Sequence, residues 1–308
     1  MKFSVIIPTY NREKDLGDCL NSILRQILLP SEVLIVDDGE LPSIFIDEFK
    51  EKFKNRGIRF IYYQKDHSKE RRGSSESRNI GFKMVSQRIV FILDDDVILD
   101  DDFFEKIIEV WRENKNPKLI GVAGIIKNYR KKSKLEKFYN KIFGLSSKYL
   151  WDVNEAGFQV WDDGIRKREK GYYAHGGDGG CSYNKDLVQR LNGFKIFEGG
   201  RGANDDVEFC LKAKKAGYYF IIEPNAKTFH KQSLSNREKN FLIGFKESYY
   251  RKIIFSLYCK KDFWHKIWFC WANIGWILRQ FLSGHFTKLL GMVFGLLNIL
   301  SGKVNKKI

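Results

Sequence analysis

The chain has 308 residues, of which 43% are hydrophobic and 30% are charged. This composition excludes a largely disordered, collagen-like or low-complexity chain, and the length predicts one large domain with an appended segment. The net charge of +16 indicates an anionic partner, which is a nucleic acid, a phosphorylated small molecule or an acidic membrane surface. Charge alone does not distinguish these three partners.

The five cysteines are scattered without a C-x-x-C pair, so we expect neither a zinc cluster nor a regular disulfide framework. The apolar run that begins at Phe3 is too short to be the core of a signal peptide. We therefore expect the catalytic part of the protein to stay in the reducing cytosol.

A strand, a helix and a second strand are predicted within the first forty residues. Residues 3–7 form a β-branched run closed by Pro8, and residues 33–36 form a second apolar run. Between them, apolar residues recur at helical spacing from Leu16 to Ile27. Further strands are predicted at residues 60–63, 88–93 and 218–222, and further helices at residues 80–85 and 205–217. This alternation predicts an α/β fold with a mostly parallel sheet.

Polar and acidic residues follow three of these strands. They are residues 8–12, then Asp37 and Asp38, then residues 94–96. Ligands of parallel sheets bind at the carboxyl ends of the strands, so we expect the three groups to converge on one edge. No G-x-G-x-x-G follows the first strand and no G-x-x-x-x-G-K-[ST] occurs, which argues against a dinucleotide site and a Walker phosphate loop.

The acidic run at residues 94–96 predicts a metal site. Asp94 and Asp96 lie on the same side of an extended chain, because side chains alternate with a period of two. Two such carboxylates suit Mg²⁺ or Mn²⁺, and these ions commonly bind substrate phosphates as well. The alternative is an acidic turn that caps the next helix, although residues 100–102 already supply three aspartates for that purpose. Asp37 and Asp38 are consistent with a nucleotide contact and equally with a plain turn.

The last part of the chain differs in composition. Between residues 267 and 302 the only lysine or arginine residues are Arg279 and Lys288, and lysines flank the segment on both sides. Its uncharged runs are shorter than the roughly 18–20 residues that span a bilayer. We expect residues 1–255 to form the catalytic domain and residues 256–308 to be an interfacial membrane-association segment. Packing on the domain or on a second subunit, and one tilted span over residues 280–302, remain alternatives.

Five segments occur in the order seen in family 2 glycosyltransferases, and between residues 3 and 230 the chain resembles that family. They are residues 5–12, 36–39, 77–81, 91–96 and 204–208. The resemblance implies the GT-A fold, a nucleotide-sugar donor, Mn²⁺ or Mg²⁺ as cofactor, and inversion at the anomeric carbon. The chain has no Gln-x-x-Arg-Trp sequence, the mark of processive relatives, so we expect transfer of a single sugar.

The resemblance also implies a role for individual residues around the donor. Asp38 would contact the base with Asp37 close by, and Arg78 would approach the diphosphate. The nucleotide pocket would be lined by Pro8, Thr9, Tyr10, Asn11 and Arg12.

The metal ligands follow from the same resemblance. Asp96 would be the principal ligand, Asp94 would face the ribose or a metal-bound water, and Asp95 would belong to the same cofactor-binding group. His230 matches a histidine often found near the metal in that family, although a lone histidine at a strand end is often structural.

Displacement at the anomeric carbon needs a base for the acceptor hydroxyl. Asp206 resembles the family's catalytic base, and Asp205 is the rival. Helix capping is the structural alternative for both, because an apolar helical pattern follows them. Asn204 precedes this pair, whereas many relatives have Glu-Asp here, so Asp205 takes the place of the glutamate.

The sequence thus favours a membrane-associated inverting glycosyltransferase on the cytoplasmic face of the membrane. Its acceptor would be a lipid-linked or growing glycan. Two alternatives are transfer to a polyprenyl phosphate and a catalytically silent nucleotide-sugar scaffold. Nucleic-acid binding is disfavoured, because the basic residues are dispersed and acidic clusters at the sheet edge would repel a phosphate backbone.

Overall fold

A computed structural model of the chain describes residues 1–146, 152–160, 167–172, 180–197, 204–233 and 239–300. Within these ranges the chain forms eleven strands and ten helices. The strands are β1 (Phe3–Thr9), β2 (Glu32–Asp37), β3 (Arg59–Gln64), β4 (Ile89–Ile92), β5 (Val97–Leu99), β6 (Leu119–Ile126), β7 (Asp152–Val153), β8 (Gln159–Val160), β9 (Glu169–Gly171), β10 (Cys181–Asn184) and β11 (Tyr219–His230). The helices are α1 (Glu13–Leu24), α2 (Ser43–Asn55), α3 (Ser74–Met84), α4 (Phe103–Glu113), α5 (Lys134–Ile142), α6 (Lys185–Arg190), α7 (Asp205–Lys215), α8 (Asn240–Tyr258), α9 (Phe263–Leu282) and α10 (Phe286–Leu300).

The main sheet has the strand order β3-β2-β1-β4-β10-β6-β11-β5, with β9 paired to β11 as well. Its first four strands are parallel to one another. Strand β10 then runs antiparallel to both of its neighbours, and β11 is parallel to β6 but antiparallel to β5 and β9. The predicted mixed α/β architecture is therefore confirmed, and β7 and β8 form a separate hairpin.

Hydrophobic cores lie on both faces of the sheet. In β1, Val5 and Ile7 belong to one core and Ile6 to the other, as the alternation of side chains along a strand requires. Helix α3 packs closely on β1, since a Cβ on Gly81 would lie 2.6 Å from Ile6 Cγ2. Strands β1, β2 and β4 are thus buried on both sides, which explains their apolar runs, whereas the edge strand β3 is only partly buried.

The structure corrects two sequence-based boundaries and adds one helix. Helix α1 ends at Leu24 rather than Ile27, and Ile27 is 65% exposed. The strand predicted at residues 218–222 continues to His230, because its later half pairs with β5 and β6. Helix α2 was not predicted from the sequence, although its buried phenylalanines Phe45, Phe49 and Phe53 recur every four residues.

The C-terminal helix α10 packs closely on α8. Helix α10 lies against α8, where a Cβ on Gly291 would be 1.9 Å from Phe241 O and one on Gly244 would be 2.1 Å from Lys288 O. The single span considered for residues 280–302 is interrupted between α9 and α10. Helix α8 runs through residues 255 and 256, so the expected domain boundary falls inside a helix. Among the described residues, no helix is both long enough and apolar enough to cross a bilayer.

Candidate active site

Asp95 connects the end of β4 to the loop after β1. Its carboxylate accepts hydrogen bonds from Thr9 Oγ1 at 2.9 Å and from Arg12 Nη1 at 3.0 Å. Burial raises the pKa of Asp95, although Arg12 and Thr9 act in the opposite direction. Burial alone would lower the pKa of Arg12, but the Asp95 carboxylate outweighs it and the pKa is raised. This middle aspartate therefore fixes the two strand ends to each other.

Asp96 faces a different set of partners. Its Oδ1 lies 3.0 Å from His230 Nε2, and its Oδ2 accepts a hydrogen bond from the Ser233 backbone N–H at 2.9 Å. Burial alone would raise the pKa of Asp96, but the bonds with His230 and Ser233 outweigh it and hold the pKa below its usual value. The carboxylate of Asp96 is thus kept ionised at the end of β11.

Asp94, Asp96 and His230 form a cluster of potential metal ligands. One ligand atom from each residue lies within 4.8 Å of those of the other two. Two carboxylates and one imidazole are a donor set that suits Mn²⁺. Asp94 is half-buried, while Asp96 and His230 are buried. The three residues therefore fit a divalent cation, and the structure brings together all three of the ligands expected from the sequence.

Arg78 joins this cluster to the start of α7. Its Nη1 donates to Asp205 Oδ2 at 2.9 Å and its Nη2 lies 3.7 Å from Asp94 Oδ1. Ser75 Oγ also donates to Asp205 Oδ2, at 2.7 Å. Burial alone would lower the pKa of Arg78, but Asp205 and then Asp94 outweigh it and raise the pKa. A buried, permanently charged guanidinium therefore stands beside the candidate metal ligands.

The two candidate bases have different surroundings. Asp205 is 6% exposed and its carboxylate is committed to Arg78 and Ser75. Asp206 is half-buried at the first turn of α7. Asn204 precedes both with a φ of 64°, a left-handed conformation that asparagine tolerates better than most residues. Asp205 is therefore the more buried of the two and is held by α3, whereas Asp206 is partly exposed.

Asp37 and Asp38 hold the loops after β2 and β3. Asp37 accepts hydrogen bonds from Gly39 N at 2.8 Å, Leu41 N at 2.9 Å and Tyr62 Oη at 2.9 Å. Burial, followed by this bond to Asp37, raises the pKa of Tyr62 to about 12. Asp37 therefore stabilises the turn after β2. A turn was the alternative to a nucleotide contact in the prediction from the sequence.

Asp38 has two buried partners of its own. Its Oδ1 accepts from Lys65 Nζ at 2.7 Å, and its Oδ2 accepts from the Gly73 N–H at 2.8 Å, just before α3. His67 Nε2 lies 3.0 Å from the Asp38 carbonyl oxygen. The expected nucleotide-contacting carboxylate thus also orders the loop that leads to α3.

The rest of the expected nucleotide pocket lies at the end of β1. Pro8 is paired in the strand opposite Val36, and Tyr10 is half-buried in the following loop. Asn11 has a φ of 51° and its Oδ1 accepts a hydrogen bond from Glu40 N at 3.3 Å. A Cβ on Gly39 would lie 2.1 Å from that Oδ1, so the loops after β1 and β2 touch.

Several residues of the site were not found from the sequence. Lys65, His67, Ser75 and Ser233 lack a recognisable motif, since each acts through a contact with a residue distant in the chain. One signal was available for Ser75, because only Glu76 separates it from the segment 77–81 that carries the family resemblance.

Comparison with known proteins identifies the family. Residues 4–172 match the model of Glycosyl transferase family 2, which is more than half of the chain. The chain belongs to this family and is a glycosyltransferase, as the sequence resemblance predicted.

Individual relatives show how far the similarity extends. The chain is 23% identical over 267 residues to the glucosyl-dolichyl phosphate glucuronosyltransferase of Haloferax volcanii, an alignment that covers 84% of this chain and 79% of the relative. It is 31% identical over 131 residues to the poly(ribitol-phosphate) beta-N-acetylglucosaminyltransferase TarP of Staphylococcus aureus, which covers 40% of this chain and 37% of TarP.

Solved structures share the fold. The mannosyltransferase PcManGT of Pyrobaculum calidifontis, solved with GDP-Man and Mn²⁺, aligns with a TM-score of 0.57 and 16% identity over 100% of this chain and 76% of its own. TarS of S. aureus aligns with a TM-score of 0.53 and 19% identity over 93% of this chain. The chain spans 44% of TarS, so the full length of that protein is not represented here.

Proposed function

We propose that this glycosyltransferase transfers one sugar, with inversion, from a nucleotide-diphosphate sugar to a glycan or lipid-linked acceptor, and that it depends on Mn²⁺ or Mg²⁺. The observation that carries this proposal is the cluster of Asp94, Asp96 and His230 beside the buried Arg78. A divalent cation bound there would supply positive charge to neutralise the departing nucleoside diphosphate.

The chain's own residues account for the remaining steps. Arg78 would bind the diphosphate, because its guanidinium offers several donors to phosphate oxygens. Asp206 would accept the proton of the acceptor hydroxyl as the oxygen forms the new bond to the anomeric carbon. The bond from that carbon to the diphosphate breaks on the opposite face, and the nucleoside diphosphate leaves with the bonding electron pair. Direct displacement of this kind inverts the configuration.

We propose that the residues at the ends of β1 and β2 recognise the donor. Asp38 would contact the base, and Thr9, Asn11 and Arg12 would line the nucleotide. The hydrogen bonds of Thr9 and Arg12 to Asp95 support this, since they hold the β1 loop next to the metal ligands. Pro8, Tyr10 and Asp37 would shape the pocket from the same loops.

We also propose that residues 1–255 carry the catalytic chemistry and that residues 256–308 contribute to membrane association on the cytoplasmic face. Support comes from the exposed large apolar side chains of α9 and α10, including Trp264, Leu282 and Phe286, which are 57% to 74% exposed. The name of the Haloferax relative, which includes a dolichyl phosphate, favours a lipid-linked acceptor here. All five cysteines are free, as a reducing compartment allows.

The test is release of nucleoside diphosphate from a panel of UDP-, GDP- and dTDP-sugars with Mn²⁺ or Mg²⁺. We expect one donor to be consumed in a metal-dependent way, and the activity to be lost in Asp96→Asn and Asp206→Asn. Asp47→Asn, an exposed position on α2, is the matched control and should remain active. Donor binding without turnover with any acceptor would replace the enzyme proposal by a binding scaffold. Turnover only with polyprenyl phosphate would identify that lipid as the acceptor.

A further inference from the structure

Helices α5 and α9 form an antiparallel pair, although more than a hundred residues separate them in the chain. The rings of Phe143 and Trp271 stack with centroids 5.0 Å apart, and Tyr139 Oη donates to Gly275 O at 2.7 Å. Gly275 permits this approach, since a Cβ there would lie 2.4 Å from Phe143 Cβ. Residue numbers rise along one helix as they fall along the other, which defines the antiparallel arrangement.

Helix α5 carries an exposed apolar stripe. Leu135, Phe138 and Ile142 are 75%, 61% and 49% exposed. Their spacing of three and four residues places them on one face of the helix. A nine-residue helix that leaves three large apolar side chains in contact with solvent is typical of an interaction surface.

Helix α9 carries a longer stripe of the same kind. Its exposed apolar residues recur every three or four positions along the helix, and their exposure ranges from 37% to 74%. They include Trp264, Ile267, Trp271, Ile274 and Leu278. Such a continuous apolar face along a helix is typical of an element that lies in a membrane interface.

The two stripes lie on the same side of the helix pair. At about 100° per residue, the stripe of α5 is rotated from its contact residues Tyr139 and Phe143. The stripe of α9 is rotated in the same sense from Gly275 and Arg279, which contact Tyr139 and Glu136. Each rotation is measured by looking along a helix from its own N-terminus. In an antiparallel pair, two rotations of the same sense bring both stripes to the same side of the pair. The stripes therefore form one broad apolar surface.

Lysines border this surface. Lys134, Lys137 and Lys141 are exposed on α5, on the side of its apolar stripe that faces away from α9. Lysines beside an exposed apolar face are attracted to anionic lipid head groups near the membrane surface. The lysines and the apolar stripes therefore both suit an anionic membrane surface.

We propose that α5 and α9 together form a single docking surface for an anionic lipid bilayer. The membrane contact then includes a helix that lies between β6 and β7, as well as the C-terminal segment. This inference rests on the membrane association proposed above and adds the helix, the face and the lipid charge that take part.

The docking surface is also connected to the candidate active site. Asn128, six residues before α5, donates from Nδ2 to His230 O at 2.8 Å and accepts from His230 N at 3.0 Å. The contact of α5 with the bilayer therefore sets the direction in which the metal-binding edge of the sheet faces the membrane, where a lipid-linked acceptor would be held.

The test is co-sedimentation of the full chain with vesicles of phosphatidylcholine alone or with phosphatidylglycerol added. We expect binding to the mixed vesicles and at least about tenfold weaker partitioning for the double variant Leu135→Glu, Phe138→Glu, because two apolar anchors are lost. The double variant Ile27→Glu, Ile44→Glu adds the same charges at exposed isoleucines elsewhere and should bind as the unaltered protein does.

A second pair of variants tests the charge. The triple variant Lys134→Gln, Lys137→Gln, Lys141→Gln should lose at least about tenfold in binding to the mixed vesicles. Its control is the triple variant Lys50→Gln, Lys54→Gln, Lys115→Gln. These lysines are exposed elsewhere on the protein, and the control should bind the vesicles normally. An unchanged circular dichroism spectrum and a cooperative urea denaturation show that each variant is folded.

The outcomes separate this inference from the proposed function. Normal vesicle binding by the α5 variants would overturn the role of α5 and leave membrane association by the C-terminal segment intact. Failure of the unaltered protein to bind any vesicle, with donor turnover preserved, would overturn both membrane proposals but not the transferase chemistry. A dimer in light scattering that the α5 glutamates dissociate would assign the surface to a second copy of the chain instead.

Discussion

Arg78 on α3 and Asp205 at the start of α7 form a buried ion pair with a distance of 2.9 Å between Nη1 and Oδ2. The pair joins two segments 127 residues apart in the chain. It directs the guanidinium toward Asp94, 3.7 Å away, and leaves the neighbouring Asp206 half-buried. The proposed function gives the adjacent aspartates separate tasks: Asp205 would position Arg78, and Asp206 would meet the acceptor hydroxyl.

This division of tasks predicts different kinetics for two single variants. Asp206→Asn should lower kcat by about 10² to 10⁴, the usual contribution of a general base. Asp205→Asn should chiefly raise KM for the donor, because Arg78 loses the charge that orients it toward the diphosphate. Steady-state kinetics of nucleoside diphosphate release, with donor concentration varied, measures both effects. Loss of kcat in Asp205→Asn, with a nearly normal Asp206→Asn, would instead identify Asp205 as the base.

The fold could be predicted from the sequence to the extent that apolar patterns define elements. Buried strands such as β1 and β4 have continuous β-branched runs, and they are present where the pattern placed them. The later half of β11 could not be predicted, because residues 224–230 alternate buried and exposed only through their pairing with β5 and β6.

The candidate site was predictable where short motifs carry it. The run at residues 94–96 indicated the alternate carboxylates that the structure brings within 4.8 Å of each other and of His230. The role of Asp37 as a hydrogen-bond acceptor in the turn was open, since it depends on Leu41 after the turn and on Tyr62 in the neighbouring strand β3. The pairing of Arg78 with Asp205 needs the tertiary structure, because no local pattern links α3 to α7.

Metal binding can be measured without turnover. Titration of the protein with Mn²⁺, followed by the electron paramagnetic resonance of the free ion, should give a dissociation constant that rises at least about tenfold in Asp96→Asn, since a charged ligand is lost. His230→Gln should weaken binding less, because the two carboxylates remain. Asp47→Asn on α2 is the control and should bind normally. Equal affinity in all four proteins would place the cation elsewhere.

The contact between the loops after β1 and β2 can be tested by a double-mutant cycle. Gly39→Ala places a Cβ about 2 Å from Asn11 Oδ1 and should cost about 1–3 kcal/mol of stability. In an Asn11→Gly background the obstacle is absent, and the same substitution should cost much less. Urea denaturation of the four proteins measures the coupling. Additive effects would mean that the two loops do not constrain each other.

Glu32 predicts a pH dependence of stability. Burial alone would raise its pKa, but hydrogen bonds from Ser4 and from the Ser86 hydroxyl and backbone N–H outweigh it and lower the pKa. A folded pKa below the unfolded value means that Glu32 stabilises the protein above the unfolded pKa of 4.5, and that this contribution is lost as the pH falls through the folded pKa.

The variant Glu32→Gln isolates this effect. It should lower the free energy of unfolding by about 1–2 kcal/mol near pH 7, since bonds to a charged acceptor become bonds to a neutral one. The difference from the unaltered protein should shrink as the pH falls through the folded pKa of Glu32, in urea denaturation at a series of pH values. A difference that stays constant over this range would show that packing, rather than ionisation, explains the loss.

The contact of α8 with α10 predicts that a single methyl group destabilises the C-terminal helices. Gly291→Ala would bring a Cβ to within about 2 Å of the Phe241 carbonyl oxygen, a backbone atom that cannot rotate away, and should cost about 1–3 kcal/mol. We expect faster tryptic cleavage after Lys288, whose ion pair with Glu247 depends on the same packing. Gly17→Ala on α1 is the control, because its Cβ would make only ordinary contacts. Equal cleavage rates in the two variants would contradict the close packing of α10 on α8.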